Sequence, residues 1–263
     1  MKGKIMRIYV CIKQVPDTET RIKLTSDAQG IESNGVKWVI NPYDEFAIEE
    51  AIRFKEAHAG AQVTAVTLGP KSRVNNALLT AMAMGADDSI LINTDETLDA
   101  LATAKALSAA IQAEGDYELV FAGKLAIDGN VSAVPLMLAQ LLDIPHASVV
   151  SQTEYSDGTV TATREIEGGT RESFRLKLPA MVTTNKGLNK PRFASLPGIM
   201  KAKKKPVKEV SLEDLGVSGD AVKVKFTNYE LPAEKAPCQM IDGDVDAQVN
   251  ELVRLLQEEA KVL

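Results

Sequence analysis

The chain has few cysteines and few histidines, and each shortage excludes something. Its two cysteines, Cys11 and Cys238, lie near opposite ends of 263 residues. Two distant thiols give no disulfide framework and suit a reducing compartment. With only His58 and His146, no sequence-local Cys/His zinc cluster is available, and no metal site is expected. No apolar run is long enough to span a membrane, so membrane insertion is not expected. The basic start, Met1-Lys2-Gly3-Lys4-Ile5-Met6-Arg7, leads only into the short run Ile8 to Ile12 and then Lys13. That reads as a first strand rather than a signal peptide, and a cytoplasmic, bacterial location is expected. The formal net charge is -6, so the field of the whole chain offers nothing to nucleic acid.

Enzyme signatures are missing too. No G-x-G-x-x-G follows the first strand and no G-x-S-x-G elbow occurs. Gly69-Pro70-Lys71-Ser72 is similar to the end of a phosphate loop, but Pro70 stands where a second glycine is required. Glu45, Glu49, Glu50 and Glu56 fall on an amphipathic helix and read as a solvated face. There is no internal repeat and no low-complexity tract. A chain without catalytic residues of its own is expected.

What is present is ordinary globular material, 45% hydrophobic and 25% charged, arranged with a clear period. Residues 7–14, 62–68, 88–92 and 119–122 are short apolar, β-branched runs and read as strands. Residues 44–58, 72–84, 96–112 and 133–142 carry helical periodicity. Asp44 is the expected cap of the first helix and Gly85 the expected stop of the second. This alternation predicts an α/β fold with a parallel, doubly wound sheet. A hairpin excursion is expected within 17–40, from the runs 22–24 and 36–40. Residues 147–154, 159–166 and 173–178 read as strands joined by Ser156-Asp157-Gly158 and Glu167-Gly168-Gly169, an antiparallel extension. Residues 179–184 give a further strand. A polar arm follows Pro206, and residues 246–263 form one more amphipathic helix, striped by Val249, Leu252, Val253 and Leu256. That helix cannot build its own core and must dock on this domain or on another chain.

The turn Gly123-Lys124-Leu125-Ala126-Ile127-Asp128-Gly129-Asn130-Val131-Ser132 lies between the Leu119 strand and a helix that opens with Ala133 and Val134. A Gly-rich strand-to-helix turn sets free N–H groups and a positive dipole end at one spot, which suits a phosphate. A tight connection capped by Asn130 or Ser132 reads equally well from these residues alone. Asn41-Pro42-Tyr43-Asp44 opens another helix at the same end of the sheet. Cys11 and Leu68 also fall at strand ends there, which favours a ligand site. Cys11 itself reads as a small buried residue, not a nucleophile. Arg192 to Met200 places apolar residues beside the basic cluster at 201–205. Composition favours a helix packed on its own domain, and an exposed anchor for a partner is the alternative.

In combination and order, several segments resemble the β subunit of electron transfer flavoproteins over nearly the whole length. They are Val10-Cys11-Ile12-Lys13-Gln14, Asn41-Pro42-Tyr43-Asp44 with the following Glu45 to Ala51, Ala81-Met82-Ala83-Met84-Gly85-Ala86-Asp87, Gly123 to Asp128, Arg164-Glu165-Ile166-Glu167-Gly168-Gly169, and Pro191 to Lys203. The resemblance implies a nucleotide-binding core at 1–190, a partner-recognition loop at 191–205, and an arm and helix at 206–263 that wrap the α subunit. It implies a heterodimer with an FAD-carrying α subunit, taking electrons from flavin dehydrogenases such as acyl-CoA dehydrogenases in fatty acid oxidation. The electrons pass to a quinone oxidoreductase. It further implies AMP in this subunit, held by Cys11, Asn41, Pro42, Tyr43, Asp44, Leu68 and the run from Gly123 to Val134. Leu196 matches the family's dehydrogenase anchor, with Ile199, Met200, Lys201 and Lys204 beside it. Glu165 matches a position that holds the mobile flavin domain of the α subunit.

The chain departs from AMP-holding members in its small, apolar Gly129-Asn130-Val131-Ser132-Ala133-Val134 run. The bifurcating branch, which binds a second FAD and oxidises NADH, has Asp-Gly-Asp-Thr there. Gln14-Val15-Pro16-Asp17-Thr18 and Asn41 to Asp44 are similar to that branch. Glu167-Gly168-Gly169 and 196–205 are similar to the non-bifurcating one. AMP is the expected ligand. A second FAD, a free-standing nucleotide-binding stress-type protein and an adenylating enzyme are the rivals. The last lacks its Ser-Gly-Gly pattern, since that turn reads Lys13-Gln14-Val15-Pro16.

Overall fold

The computed structural model describes residues 6–156, 158–218, 221–235 and 237–263. The basic start at residues 1–5 and Asp157 of the expected 156–158 turn lie outside the described residues. The chain order is β1 (Met6–Cys11), β2 (Gln14–Pro16), β3 (Trp38–Ile40), α1 (Pro42–Ala57), β4 (Ala61–Gly69), α2 (Lys71–Met84), β5 (Asp88–Asn93), α3 (Ala100–Ala113), β6 (Leu119–Gly123) and α4 (Ala133–Leu141). Then come β7 (His146–Ser156), β8 (Thr159–Glu165), β9 (Arg171–Lys177), β10 (Ala180–Thr184), α5 (Leu196–Ala202), β11 (Lys208–Ser211) and α6 (Val245–Arg254).

Nine strands form one sheet in the order β11-β5-β4-β1-β6-β10-β7-β8-β9. From β11 to β7 every pair is parallel, and β7-β8-β9 is antiparallel. The side-chain period of two explains the double winding. Ile8 and Val10 of β1 join Ile48, Ile52 and Leu78 in a core under α1 and α2. Tyr9 and Cys11 join Leu107, Ile111 and Leu138 on the opposite face, under α3 and α4. The α/β class and the antiparallel extension agree with the expectation.

Several details differ from it. The first strand stops at Cys11, because residues 14–16 turn away to pair antiparallel with β3. The hairpin partner of 38–40 is therefore 14–16, and the run 22–24 supplies only a bridge from Leu24 to Ile31. The strand at 180–184 does not follow the antiparallel strands in space; it inserts between β6 and β7. The third helix starts at Ala100, since the Asp99 carboxylate caps it by accepting from the Ala102 N–H at 2.8 Å. The first helix begins at Pro42, a favoured first position, so Asp44 lies inside its first turn and is not its cap.

The acidic face of α1 is the largest correction. Glu49 and Glu50 are buried, not solvated. Glu49 is gripped by Arg192 at 2.8 Å. Glu50 accepts hydrogen bonds from Thr153, Tyr155 and Asn189. At the far end, α6 is capped by Asp244 and none of its residues is buried. Its apolar stripe of Val249, Leu252 and Val253 remains exposed. The helix that was expected to run to 263 gives way at Leu255–Glu259 to a π-type turn.

Candidate functional site

From β1 the chain steps outward to β4 and β5 and then crosses back to β6 on the other side. Strand order thus reverses between β1 and β6. The crevice beyond their carboxyl ends is where an open α/β sheet seats ligands. Its walls are the residues after Cys11 and the loop 124–132.

A buried polar hub ties those walls together. One oxygen of the Asp44 carboxylate accepts from the Lys13 N–H at 2.7 Å. The other accepts from the Gly123 N–H at 2.9 Å and from Asn41 Nδ2 at 3.0 Å. Asn41 also donates to the Leu125 carbonyl at 2.8 Å and accepts from the Ile127 N–H at 3.2 Å. One side-chain pair at the start of α1 therefore holds the ends of β1 and β6 and the loop between β6 and α4. Burial pushes the Asp44 carboxyl up to about 7, and its N–H donors with the nearby Lys13 charge oppose the rise only in part.

The rest of the loop is shaped locally. The Lys13 ammonium reaches across to pair with Asp128 at 2.7 Å. The Ala126 carbonyl accepts from the Gly129 and Asn130 N–H groups, closing a turn. Asn130 and Ser132 both take left-handed angles, with φ at 53°. Ser132 precedes α4 without donating or accepting a side-chain cap, and no acidic residue lies in that first turn. The α4 N-terminus therefore keeps donors and positive dipole for another group. Val131 is exposed beside it. Lys124 donates its N–H to the Thr184 carbonyl at 3.0 Å, and its ammonium lies over the Tyr43 ring. The Tyr43 carbonyl accepts from Thr184 Oγ1 at 2.8 Å.

Beneath this donor set lies an apolar floor. Cys11, Val66 and Leu138 are buried in one cluster, and Leu68 and Val134 pack against it. Burial pushes the Cys11 thiol up to about 12, so it is no nucleophile at neutral pH. The structure thus groups the expected residues by face. Cys11, Leu68 and Val134 form a floor on the α3–α4 side. Asn41, Asp44, Gly123, Leu125 and Ile127 form a framework on the α1 side. The glycine at 123 answers to that framework: a Cβ there would meet Asp44 Oδ1, and the Tyr43 Cβ and backbone at 2.7 and 2.9 Å. Lys13 and Thr184 were missed by the motif reading. Lys13 carries a signal in its position directly after the central strand; Thr184 carries none, since its contact to Tyr43 spans 141 positions.

The second group of expected residues sits elsewhere, on α5. Ser195 caps this short helix, and Gly198 lies so close to α2 that a Cβ would meet the Ala83 carbonyl. Phe193, Leu196 and Met200 are 95, 79 and 66% exposed, while Ile199 turns inward against the α1–α2 core. The helix is thus both things the sequence offered, packed on its own domain on one face and open on the other. Lys201 and Lys204 are exposed; Lys205 instead donates to the carbonyls of Ala86 and Asp87 beyond α2. Glu165 is exposed and pairs with Arg171 at 3.3 Å. Among the described residues no cluster of His, Cys, Asp or Glu offers a metal site, and no helix is long and apolar enough to cross a membrane.

Fold and strand order together define a doubly wound α/β protein with a buried polar hub and an uncapped helix start at its switch point, where open α/β sheets seat ligands. Residues 30–215 match the model of the electron transfer flavoprotein domain. The chain is 40% identical to an electron transfer flavoprotein subunit beta of Bacillus subtilis, covering 98% of this chain and all of that protein. It is 38% identical to the mitochondrial subunit beta of Arabidopsis thaliana, covering 98 and 100%. It is also 38% identical to the subunit beta of Mus musculus, covering 95 and 99%. The chain belongs to the electron transfer flavoprotein family.

Proposed function

We propose that this chain is the β subunit of a heterodimeric electron transfer flavoprotein, a carrier and scaffold rather than a catalyst. It supports an FAD-bearing α subunit that takes electrons from flavin dehydrogenases, such as acyl-CoA dehydrogenases, and hands them to a quinone oxidoreductase. The chain itself holds AMP at the switch point. The residues fit that group: the uncapped α4 N-terminus supplies N–H donors and dipole for a phosphate, and Cys11, Leu68 and Val134 supply an apolar bed for adenine. Asn41 and Asp44 hold the loop that shapes the cleft. Leu196 and Met200 present the apolar surface to the dehydrogenase, with Lys201 and Lys204 beside it. Glu165 steadies the flavin domain of the α subunit.

The observation that carries the reading is the coincidence of that uncapped helix start and apolar floor at one strand-order reversal. Acid denaturation of the purified heterodimer, with the released nucleotide identified by mass, tests it. AMP in one equivalent beside one FAD is expected. Two FAD and no AMP would assign the chain to the bifurcating branch. Release of no adenine nucleotide besides the single FAD would overturn the ligand reading.

A further inference from the structure

The strand-to-helix turn Gly69-Pro70-Lys71-Ser72 has no part in the crevice hub. It borders a cavity of about 410 Å³ lined by Gln14, Ser33 and Trp38 on the β2–β3 side and by Ser72, Arg73 and Asn76 of α2. Arg73 sets its charge. The guanidinium lies 4.1 Å from the centre of the Trp38 ring, and burial lowers its pKa from the ordinary value. Among the described residues no carboxylate pairs with it. Asp128, the charge that reaches it, is already paired with Lys13. The neighbouring Lys71 differs, being paired with Glu209 at 2.6 Å. The start of α2 has no cap from Pro70 and no acidic residue in its first turn, although its Lys71 N–H donates to Asn93 Oδ1 at 3.0 Å. A partly buried cation, a positive dipole end and the hydroxyls of Ser33 and Ser72 thus meet at one hollow without an anion.

Gln14 adds an independent demand. It is only 6% exposed, and its Oε1 has no hydrogen-bond partner. A buried acceptor without a donor is destabilising, so a ligand that donates there is favoured.

We propose that this cavity binds a proton-bearing phosphoryl group, as orthophosphate or as the monoanion of a phosphate monoester, whose remaining proton leaves at about pH 6. Arg73 engages two of its oxygens, a planar fork matched to a phosphoryl edge. Ser72 and the α2 dipole neutralise the rest of the charge. The remaining P–OH donates to Gln14 Oε1. Sulfate has the same shape but carries no proton at neutral pH, so it leaves that acceptor unpaired and binds more weakly. The inference stands apart from the AMP reading, which concerns α4.

Calorimetric titration of the full chain, purified with its partner subunit, tests it with orthophosphate, sulfate and free AMP as separate probes. Orthophosphate is expected to bind once per chain. Arg73→Gln weakens it roughly tenfold or more, the loss of a charge-assisted pair. Arg73→Lys, which keeps the charge and loses the fork, weakens it less and serves if the first variant does not fold. Gln14→Leu removes the buried acceptor without leaving it unpaired, and is expected to narrow the preference for phosphate over sulfate. Free AMP that competes with orthophosphate in an Arg73-dependent way identifies a nucleotide as the phosphoryl source; no competition identifies free phosphate. Equal orthophosphate affinity in wild type and both Arg73 variants, or sulfate bound as tightly as phosphate, overturns the proposal. Neither result alters the acid-released nucleotide, so the two readings fail separately.

Discussion

At the scale of single residues, Asp44 is the most consequential side chain of the crevice. Its folded pKa of about 7 lies above the ordinary 3.8, so the folded chain keeps this proton to higher pH than the unfolded chain does. The linked stability is complete below the unfolded pKa and is lost as pH rises through about 7. Denaturation midpoints of wild type and Asp44→Asn, compared between about pH 5 and about pH 8, isolate this term. The wild type is expected to lose stability relative to the variant as pH rises; parallel profiles would show that the carboxyl titrates normally. Gly123 is the steric counterpart. Gly123→Ala drives a methyl into the first turn of α1, against Asp44 and Tyr43, an overpacking that costs about 1–3 kcal/mol. A lower melting temperature together with reduced bound nucleotide is expected. An unchanged melt would mean that α1 backs away freely. That residues 41, 44 and 123 meet at one end of the sheet was legible in the sequence. Their division of labour was not, because Asp44 meets Gly123 across 79 positions and no local pattern encodes that contact.

At the scale of elements, α1 joins the crevice to the exposed helix. Its first turn holds the loop after β6, and its middle holds the segment before α5. Arg192 donates to Glu49 through Nε at 2.8 Å and Nη2 at 3.0 Å, and to Glu56 at 2.7 and 3.1 Å. This fork strongly raises the Arg192 pKa and lowers that of Glu56. Removing it strands the buried Glu49 charge. Breaking a buried pair costs about 3–5 kcal/mol, and the partial exposure of Arg192 puts Arg192→Ala toward the lower end. The expected signs are a lower denaturation midpoint and faster proteolytic cleavage between 186 and 195, with Arg192→Lys rescuing only in part because it lacks the fork. Cleavage at the wild-type rate would show that α5 is held by its α2 contact alone. Periodicity located the strands and helices of the βα core to within a few residues. It misread the acidic side of α1, since Glu49 and Glu50 are placed like solvent-facing residues. Their partners, Thr153, Tyr155, Asn189 and Arg192, come from strands and loops more than 100 positions away. The insertion of β10 beside β6 was hidden for the same reason, as strand order is a tertiary fact.

At the scale of the whole molecule, the core closes without its last segment. The two apolar clusters reach only to Ala202 and to Leu212 with its neighbours, whereas α6 buries nothing. An amphipathic helix with Val245, Val249, Leu252 and Val253 all exposed gains little by folding alone, because most helical stability in proteins comes from packing an apolar face. If the helix exists to cover a partner subunit, its deletion must separate two quantities that usually fall together. Truncation before residue 239 is expected to leave the thermal stability of the isolated chain unchanged. The same truncation should weaken association with the α subunit, read as a shift from heterodimer to free chains in sedimentation. A truncated chain that melts early would place α6 on its own domain instead, and a heterodimer of undiminished stability would leave the exposed stripe without a role in assembly.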